Sequence, residues 1–184
     1  VIYYADDHGK GLYLVTHGRV KTIKLAKAGR ELMTGIYGKG DYLGINAILN
    51  DSAYADTATA LEDSSVCLIP SEQMETIFNL YPEVARKFIH LLSRDNRAKE
   101  EQLLELAYHS VRKKIASTLL RLYKQKNSDD DLTNITREDL AAMACMATET
   151  VSRTLSDFKD ELLIDRNGSN ITVLNHEGLS KMKN

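Results

Sequence analysis

The chain has 184 residues, 43% of them hydrophobic and 27% charged, enough to bury the core of one large domain or two small ones and too apolar to be compositionally disordered. No apolar run approaches the roughly 20 residues of a membrane-spanning helix, and two cysteines, Cys67 and Cys145, are too few for a disulfide framework, which fits a reducing cytoplasm. The net charge of −2 is nearly even along the chain: residues 1–108 carry 12 Lys and Arg against 15 Asp and Glu, and residues 109–184 carry 12 against 11, so a nucleic-acid reading must rest on a site.

Residues 1–70 read as β. Leu12-Tyr13-Leu14-Val15 and Val20-Lys21-Thr22-Ile23-Lys24-Leu25 are short runs split by His17-Gly18, and the second alternates apolar and polar residues as a half-buried strand does. Lys27-Ala28-Gly29-Arg30 has the composition of a hairpin turn, and Gly35, Gly38, Gly40 and Gly44 punctuate the next stretch. Residues 65–69 form the last clear strand, ended by Pro70. Short strands at this spacing suggest a small barrel or roll. The period then changes. A short helix begins near Ser71, read as its N-cap. A longer one opens at Pro82, a good first helical residue, and runs to about Tyr108. Its apolar positions are Val84, Phe88, Leu91, Leu92, Leu103 and Leu106, interrupted by the polar stretch 93–102. That stripe needs a cover, either a partner helix in a homodimer or the chain's own β domain, and the two are compatible. Phe88, Leu91, Leu92, Leu103 and Leu106 are the expected dimer interface.

From His109 a third region begins. Val111, Ile115, Leu119 and Leu122 mark an amphipathic helix, with Arg112, Lys113, Lys114 and Arg121 on its polar side. Residues 127–131 read as a loop. Two short helices follow, residues 137–144 and 148–162. Then Leu163-Ile164-Asp165-Arg166 and Asn170-Ile171-Thr172-Val173-Leu174 flank Asn167-Gly168, a strong hairpin signal. Helix, helix, tight turn, helix and β-hairpin is the order of a winged helix-turn-helix. Thr136 and Asp139 make a capping-box-like start. Leu140 and Met143 face inward and are answered by Val151, Leu155 and Phe158. Thr148, Glu149, Ser152 and Arg153 are left on the other side, near the helix start that enters a major groove. Arg donates two hydrogen bonds to guanine, Glu accepts one from cytosine N4, and Ser can meet a base edge. The bland reading of Glu149 and Arg153 is a surface i,i+4 ion pair, worth a few tenths of a kcal/mol; the flanking helix and wing favour the base-reading one. Thr148, Thr150, Thr136, Arg137, Lys113 and Lys114 are the expected auxiliary DNA contacts. The organisation is thus a β-roll with a short helix over residues 1–81, a connecting dimerisation helix over 82–108 and a DNA-binding domain over 109–184.

These motifs resemble the Crp/Fnr superfamily from Val1 to nearly the end. The resemblance rests on Leu12-Tyr13-Leu14-Val15-Thr16-His17-Gly18, Lys39-Gly40-Asp41-Tyr42-Leu43-Gly44, Ile135-Thr136-Arg137-Glu138-Asp139-Leu140-Ala141 and Thr148-Glu149-Thr150-Val151-Ser152-Arg153. It implies an α+β protein: a jelly-roll-like β-roll of the cyclic-nucleotide-binding type, a long dimerisation helix and a winged helix-turn-helix, in a chain lacking the family's first helix and strand. It implies a cytoplasmic, bacterial, homodimeric transcription regulator and not an enzyme; no nucleophile–base or carboxylate pair stands out. The alternative is a ligand- or protein-interaction sensor with vestigial DNA binding.

The departures from the family pattern are informative. Nucleotide-binding members carry Gly-Glu for the ribose and Arg-Ser for the cyclic phosphate. Here Ile45 follows Gly44, and the second site reads Tyr54-Ala55-Asp56. Cyclic AMP binding is therefore not expected, and the effector pocket around Gly44, Ile45, Tyr54 and Ala55 is expected to be apolar or empty. Cys145 stands where the family often has Gly, and Ala147 where it has a small polar cap, which passes capping to Thr148. Iron–sulfur members need four cysteines, so Cys67 and Cys145 read as buried inert thiols; the five histidines show no metal-ligand spacing, and no cofactor is expected. The Glu-x-x-Ser-Arg pattern matches the Fnr branch, implying palindromic sites with half-sites closer to TTGAT than to TGTGA. Thr148 replaces the extra Arg of the cyclic-AMP branch. Asp129–Asp131 reads as a solvated loop, with RNA polymerase contact as a family analogy.

Overall fold

The computed structural model describes residues 1–26, 29, 31–124, 135–168 and 170–184. The turn expected at residues 27–30 and the acidic loop at 127–131 lie outside the described residues, Gly29 excepted. Two compact units emerge, one holding residues 1–26 and 34–103, the other holding residues 27–33 and 104–184.

In the first unit, alternation along short strands produces two three-stranded sheets. Strands β1 (Gly11–His17), β4 (Tyr42–Leu43) and β6 (Ser65–Pro70) form one, in the order β4-β1-β6; β2 (Val20–Leu25), β3 (Glu31–Tyr37) and β5 (Thr57–Ala60) form the other, in the order β3-β2-β5. β1 runs antiparallel to β6, with Leu12 opposite Ile69 and Leu14 opposite Cys67. β2 runs antiparallel to β5, with Val20 opposite Ala60. Gly18, between β1 and β2, has φ +74, and a Cβ there would lie 2.5 Å from the Asp63 carbonyl oxygen. Only glycine meets both demands. One core gathers Val15, Val20, Leu43, Ala58 and the rings of Tyr3 and Tyr54; a second gathers Leu12, Met74 and Phe88.

Helix α1 (Ile45–Leu49) sits in the glycine-punctuated stretch that reads as turns in the sequence. Helix α2 (Ser71–Leu80) starts one residue earlier than the capping reading of Ser71 requires. Pro70 is the N-cap, no side chain caps the helix, and the Ser71 amide donates to the Lys10 carbonyl oxygen at 3.2 Å. Helix α3 (Pro82–Tyr108) is continuous over 27 residues. Phe88 corrects the expected dimer interface. It is only 9% exposed, and its ring lies 5.0 Å from that of Tyr42 and 5.5 Å from that of Phe78. The roll's own aromatic residues cover it, which removes it from any partner. Leu91, Leu92 and Leu106 are half-buried, and Leu103 is 66% exposed.

The second unit holds α4 (Val111–Lys124), α5 (Arg137–Ala144), α6 (Thr148–Asp160), the hairpin β7 (Ile164–Asn167) and β8 (Asn170–Val173), and α7 (His176–Ser180). α6 ends before Leu162, which adopts the left-handed conformation at φ +58, and the Leu163 amide then closes on the Phe158 carbonyl oxygen at 2.9 Å. In the hairpin Asn167 pairs with Asn170, which places the turn one residue later than the Asn-Gly signal implies, with Gly168 at φ +63. No helix among the described residues is long and apolar enough to cross a membrane. The mixed architecture agrees with the α+β expectation.

Phe88→Ala should lower the unfolding free energy by about 3–5 kcal/mol, the range for truncating a core aromatic. Denaturant titration at two protein concentrations checks this. A loss that appears only in the dilute sample would place Phe88 at an intersubunit surface instead.

Candidate nucleic-acid interface

The second unit is organised around one turn. α5 begins at a true capping box: the Thr136 hydroxyl accepts from the Asp139 amide at 3.0 Å, and the Asp139 carboxylate accepts from the Thr136 amide at 3.1 Å. α5 ends where Cys145 turns left-handed, at φ +53, and the Met146 amide folds back on the Ala141 carbonyl oxygen. Ala147 is extended and serves as N-cap of α6, its carbonyl accepting from the amides of Thr150 and Val151. Capping by Thr148 is thereby overturned. Thr148 lies inside the first turn, the extended position belongs to a methyl side chain, and α6 has no side-chain cap.

The rotation of α6 is set by what it buries. Val151, Leu155 and Phe158 are completely or almost completely buried, and Thr154 is buried with its hydroxyl donating to the Thr150 carbonyl at 3.0 Å. Ile115 and Leu119 of α4 and Leu140 and Met143 of α5 are buried too, and α6 packs on both helices. Glu149 and Arg153 are consequently exposed, and Thr148, Thr150 and Ser152 are half-buried beside them. No ion pair joins Glu149 to Arg153 among the described residues, so both head groups stand ready for an external partner.

Cations nearby divide into two groups. The Arg112 guanidinium lies 4.9 Å from the Phe158 ring centroid, bonds Glu161 at 2.7 Å and approaches Asp157 at 3.6 Å. Arg121 lies 3.9 Å from Glu105, and burial lowers its pKa against the opposing pull of that carboxylate. Both are occupied within the unit. Lys113 and Lys114 are half-buried and have no carboxylate partner within 4 Å among the described residues.

The wing is latched to α6. Lys159 bonds the Arg166 carbonyl at 3.0 Å and the Asp165 carboxylate at 3.0 Å, and that hydrogen bond, with the Arg166 amide and the ammonium charge, holds Asp165 below the usual carboxylate range. Between wing and α5 lies a groove of about 300 Å³ lined by Thr136, Arg137 and Glu138 on one side and Arg166, Gly168 and Ile171 on the other. Partial burial and the neighbouring Arg137 charge both lower the Arg166 pKa. Arg166 is a further candidate that sequence reading leaves out, although a basic residue beside a hairpin Asn-Gly is a usable signal.

The first unit contains a second feature, a cavity of about 370 Å³. Gly44, Ile45, Tyr54 and Ala55, the expected pocket residues, all line it. Gly44 has φ +82, and a Cβ there would come within 2.8 Å of the Tyr54 ring. The cavity is not the apolar pocket expected. Tyr3, Tyr37, Thr22 and Asp56 line its wall, with Asp95, Asn96 and Lys99 from α3. The Tyr3 and Tyr54 rings stack at 4.0 Å, and Asp56 accepts from the Tyr3 hydroxyl at 3.3 Å and the Thr34 hydroxyl at 3.1 Å.

Two family models match this chain. One, described as "Cyclic nucleotide-binding domain", covers residues 1–81; the other, "Crp-like helix-turn-helix domain", covers residues 113–182. The fumarate and nitrate reduction regulatory protein of Vibrio cholerae is 27% identical over 98% of this chain and 74% of its own length. The probable transcriptional regulator flp of Lacticaseibacillus casei is 29% identical over 97% of this chain and 81% of its own. The solved structure of FixK2 from Bradyrhizobium japonicum gives a TM-score of 0.88 at 25% identity, over 97% of this chain and 90% of that one.

The chain belongs to the Crp/Fnr family of transcription regulators. Regulators of this family bind DNA and form dimers. They are not enzymes, and the sensor-like roll precedes the helix-turn-helix here as in the family. In this Crp/Fnr regulator the cysteines correct a further expectation: Cys67 and Cys145 are exposed, not buried. Cys67 lies on the side of β6 turned away from the core, and Cys145 sits at the crest of the turn. Among the described residues no group of three or more His, Cys, Asp or Glu is placed to hold a metal ion.

Cys145 occupies a conformation that costs an L-residue about 1–2 kcal/mol, partly offset in glycine by about 0.5–1 kcal/mol of chain entropy. Cys145→Gly should therefore raise stability by about 0.5–1 kcal/mol, and Cys145→Val should lower it. Urea titrations of the two variants test this; stabilisation by Val would show that the turn is not left-handed.

Proposed function

We propose that this regulator reads palindromic DNA as a homodimer in the cytoplasm, with Glu149, Ser152 and Arg153 on the base edges. The observation that supports it most is the division of α6: one face wholly buried, and Glu149 and Arg153 exposed and unpaired on the other. An unused surface pair would gain by closing on itself; these two do not. Arg153 suits guanine O6 and N7, and Glu149 suits cytosine N4. Thr148 offers no bidentate guanine contact, which supports half-sites closer to TTGAT than to TGTGA. Thr136, Arg137, Thr150, Lys113 and Lys114 take the sugar–phosphate backbone, joined by Arg166 from the wing. Those contacts position the protein without selecting sequence.

The dimer forms along α3. Ile89, Leu103, Leu104 and Tyr108 are large apolar residues left exposed on it. Ile89, Leu92, Asn96, Lys99, Leu103 and Leu106 recur at alternating spacings of three and four, a coiled-coil seam with a polar middle. Leu92, Asn96 and Lys99 also line the roll cavity. A guest in the cavity would therefore act on the helix that joins the subunits, which is how the sensor would bias DNA binding. Cyclic AMP is a poor guest. Ile45 offers no acceptor for the ribose hydroxyl, and Tyr54-Ala55-Asp56 offers the phosphate a carboxylate where a cation would be needed, with Lys99 on α3 the one basic lining residue.

Two measurements test this reading. In-vitro selection should enrich a TTGAT-like palindrome with the wild type, while Arg153→Ala loses about 1–3 kcal/mol and selectivity at one guanine. Equal enrichment by both proteins would remove Arg153 from the base readers, and no enrichment by the wild type would favour a sensor with vestigial DNA binding. Leu103→Glu should shift the protein toward monomer in sedimentation at tens of micromolar, roughly the range where weak dimers dissociate. An unchanged dimer would move the interface off α3.

A further inference from the structure

We infer that the roll cavity takes a small organic monocation, a primary or quaternary amine, in place of an anionic nucleotide. This rests on reading the roll as the sensor domain and names the chemical class of its guest. The cavity's charge is the first argument. Asp56 and Asp95 line it, neither has a cationic partner within 4 Å among the described residues, and Lys99 is the one basic lining residue. Two carboxylates against one ammonium leave an excess negative charge that a monocation neutralises and a phosphate doubles. Coulomb interaction strengthens away from bulk water, so a half-enclosed site amplifies that difference.

The walls are the second argument. Tyr3, Tyr37 and Tyr54 line the same cavity as Asp56, and a cation within about 6 Å of such a ring is attracted by its quadrupole. Asp56 is held in place by the Tyr3 and Thr34 hydroxyls, one on each oxygen. Each oxygen keeps a lone pair for an ammonium N–H. Those hydroxyls are preorganised donors that fix the carboxylate without neutralising it. Burial, and then the Asp56 charge, pushes the Tyr3 hydroxyl far above the usual phenol range; burial also raises Tyr37, opposed by its hydrogen bond with Thr22 and aided by the Asp56 and Asp95 charges. The Asp56 and Asp95 charges that add to this burial would also draw a cation in.

Size and ligand count narrow the class. A volume of about 370 Å³ is near the lower end of small-molecule sites, which run from about 300 to 1,000 Å³. It holds a one-ring amine and not a large cofactor. A bare metal ion would want more hard ligands than two carboxylates on separate elements, and no three-residue acidic, His or Cys cluster exists among the described residues.

The test is calorimetry on the whole chain, without DNA, so that failure of the DNA-reading proposal leaves it intact. The probes are tyramine, phenethylamine and choline, with tyrosol as the neutral counterpart of tyramine and cyclic AMP as the anion. At least one amine should bind saturably. If that amine is tyramine, tyrosol should bind about tenfold more weakly or not at all, as expected when a charge-assisted hydrogen bond is lost. Cyclic AMP should not compete. Asp56→Asn should weaken the amine about tenfold, and Asp95→Asn, on the exposed face of α3, should weaken it severalfold. The second variant keeps the test decisive if the first misfolds. Binding of tyrosol as tight as tyramine, amine affinity unchanged in Asp95→Asn and in a folded Asp56→Asn, saturable cyclic AMP binding, or no binding by any of the three amines would each overturn the inference.

Discussion

The burial of Phe158 with Val151 and Leu155 is the constraint on which the DNA-binding unit depends. Phe158 is fully buried, and its ring is covered from outside by the Arg112 guanidinium, itself held by Glu161. Burying a side chain of this size is worth about 1.5–3 kcal/mol. Turning α6 by one residue, about 100°, would expose it and bury a charged neighbour instead. The helix therefore has one rotation available. Glu149 and Arg153 face outward as a consequence of what the opposite face buries. The wing inherits the same frame, since Lys159 ties both Asp165 and the Arg166 carbonyl to the end of α6.

A chain of net charge −2 reaches an anionic polymer by local arrangement. Arg112, Arg121 and Lys159 spend their charge on Glu161, Glu105 and Asp165. Among the described residues, Arg153, Lys113, Lys114, Arg137 and Arg166 have no carboxylate within 4 Å. The first group shapes the unit and the second gives it a surface. Counting Lys and Arg mixes the two, which is why composition says little about nucleic acid here while the folded unit says a good deal.

The roll shows the same logic in its interior. Tyr3 comes from the first residues of the chain, Tyr54 and Asp56 from the segment before β5, and Asp95 from α3. Gly44 has to be glycine for the Tyr54 ring to lie against it. The stacked Tyr3 and Tyr54 rings close one side of the cavity and the polar turn of α3 borders another. A site built from four distant segments answers to tertiary packing, and its charge is a property of the assembly.

What the sequence determined by itself was local. Alternation in Val20-Lys21-Thr22 predicts a strand, Thr136 with Asp139 a helix start, and the spacing of Val151, Leu155 and Phe158 a buried face; each is encoded within a few residues, where backbone geometry makes neighbours in sequence neighbours in space. The outward direction of Glu149 and Arg153 follows from that spacing. Tertiary structure decided the rest. Phe88 lies on an apolar stripe that two surfaces could cover, and only the positions of Tyr42 and Phe78 show that the roll covers it. Cys67 and Cys145 are exposed because of the sheet face and turn they occupy, which a small apolar residue does not announce. Asp56 read alone is one carboxylate, and only the fold brings it the hydroxyls of Tyr3, 53 positions away, and Thr34, 22 positions away. Periodicity encodes which way a side chain points along its own element; what it then meets depends on contacts between elements, which no local pattern carries.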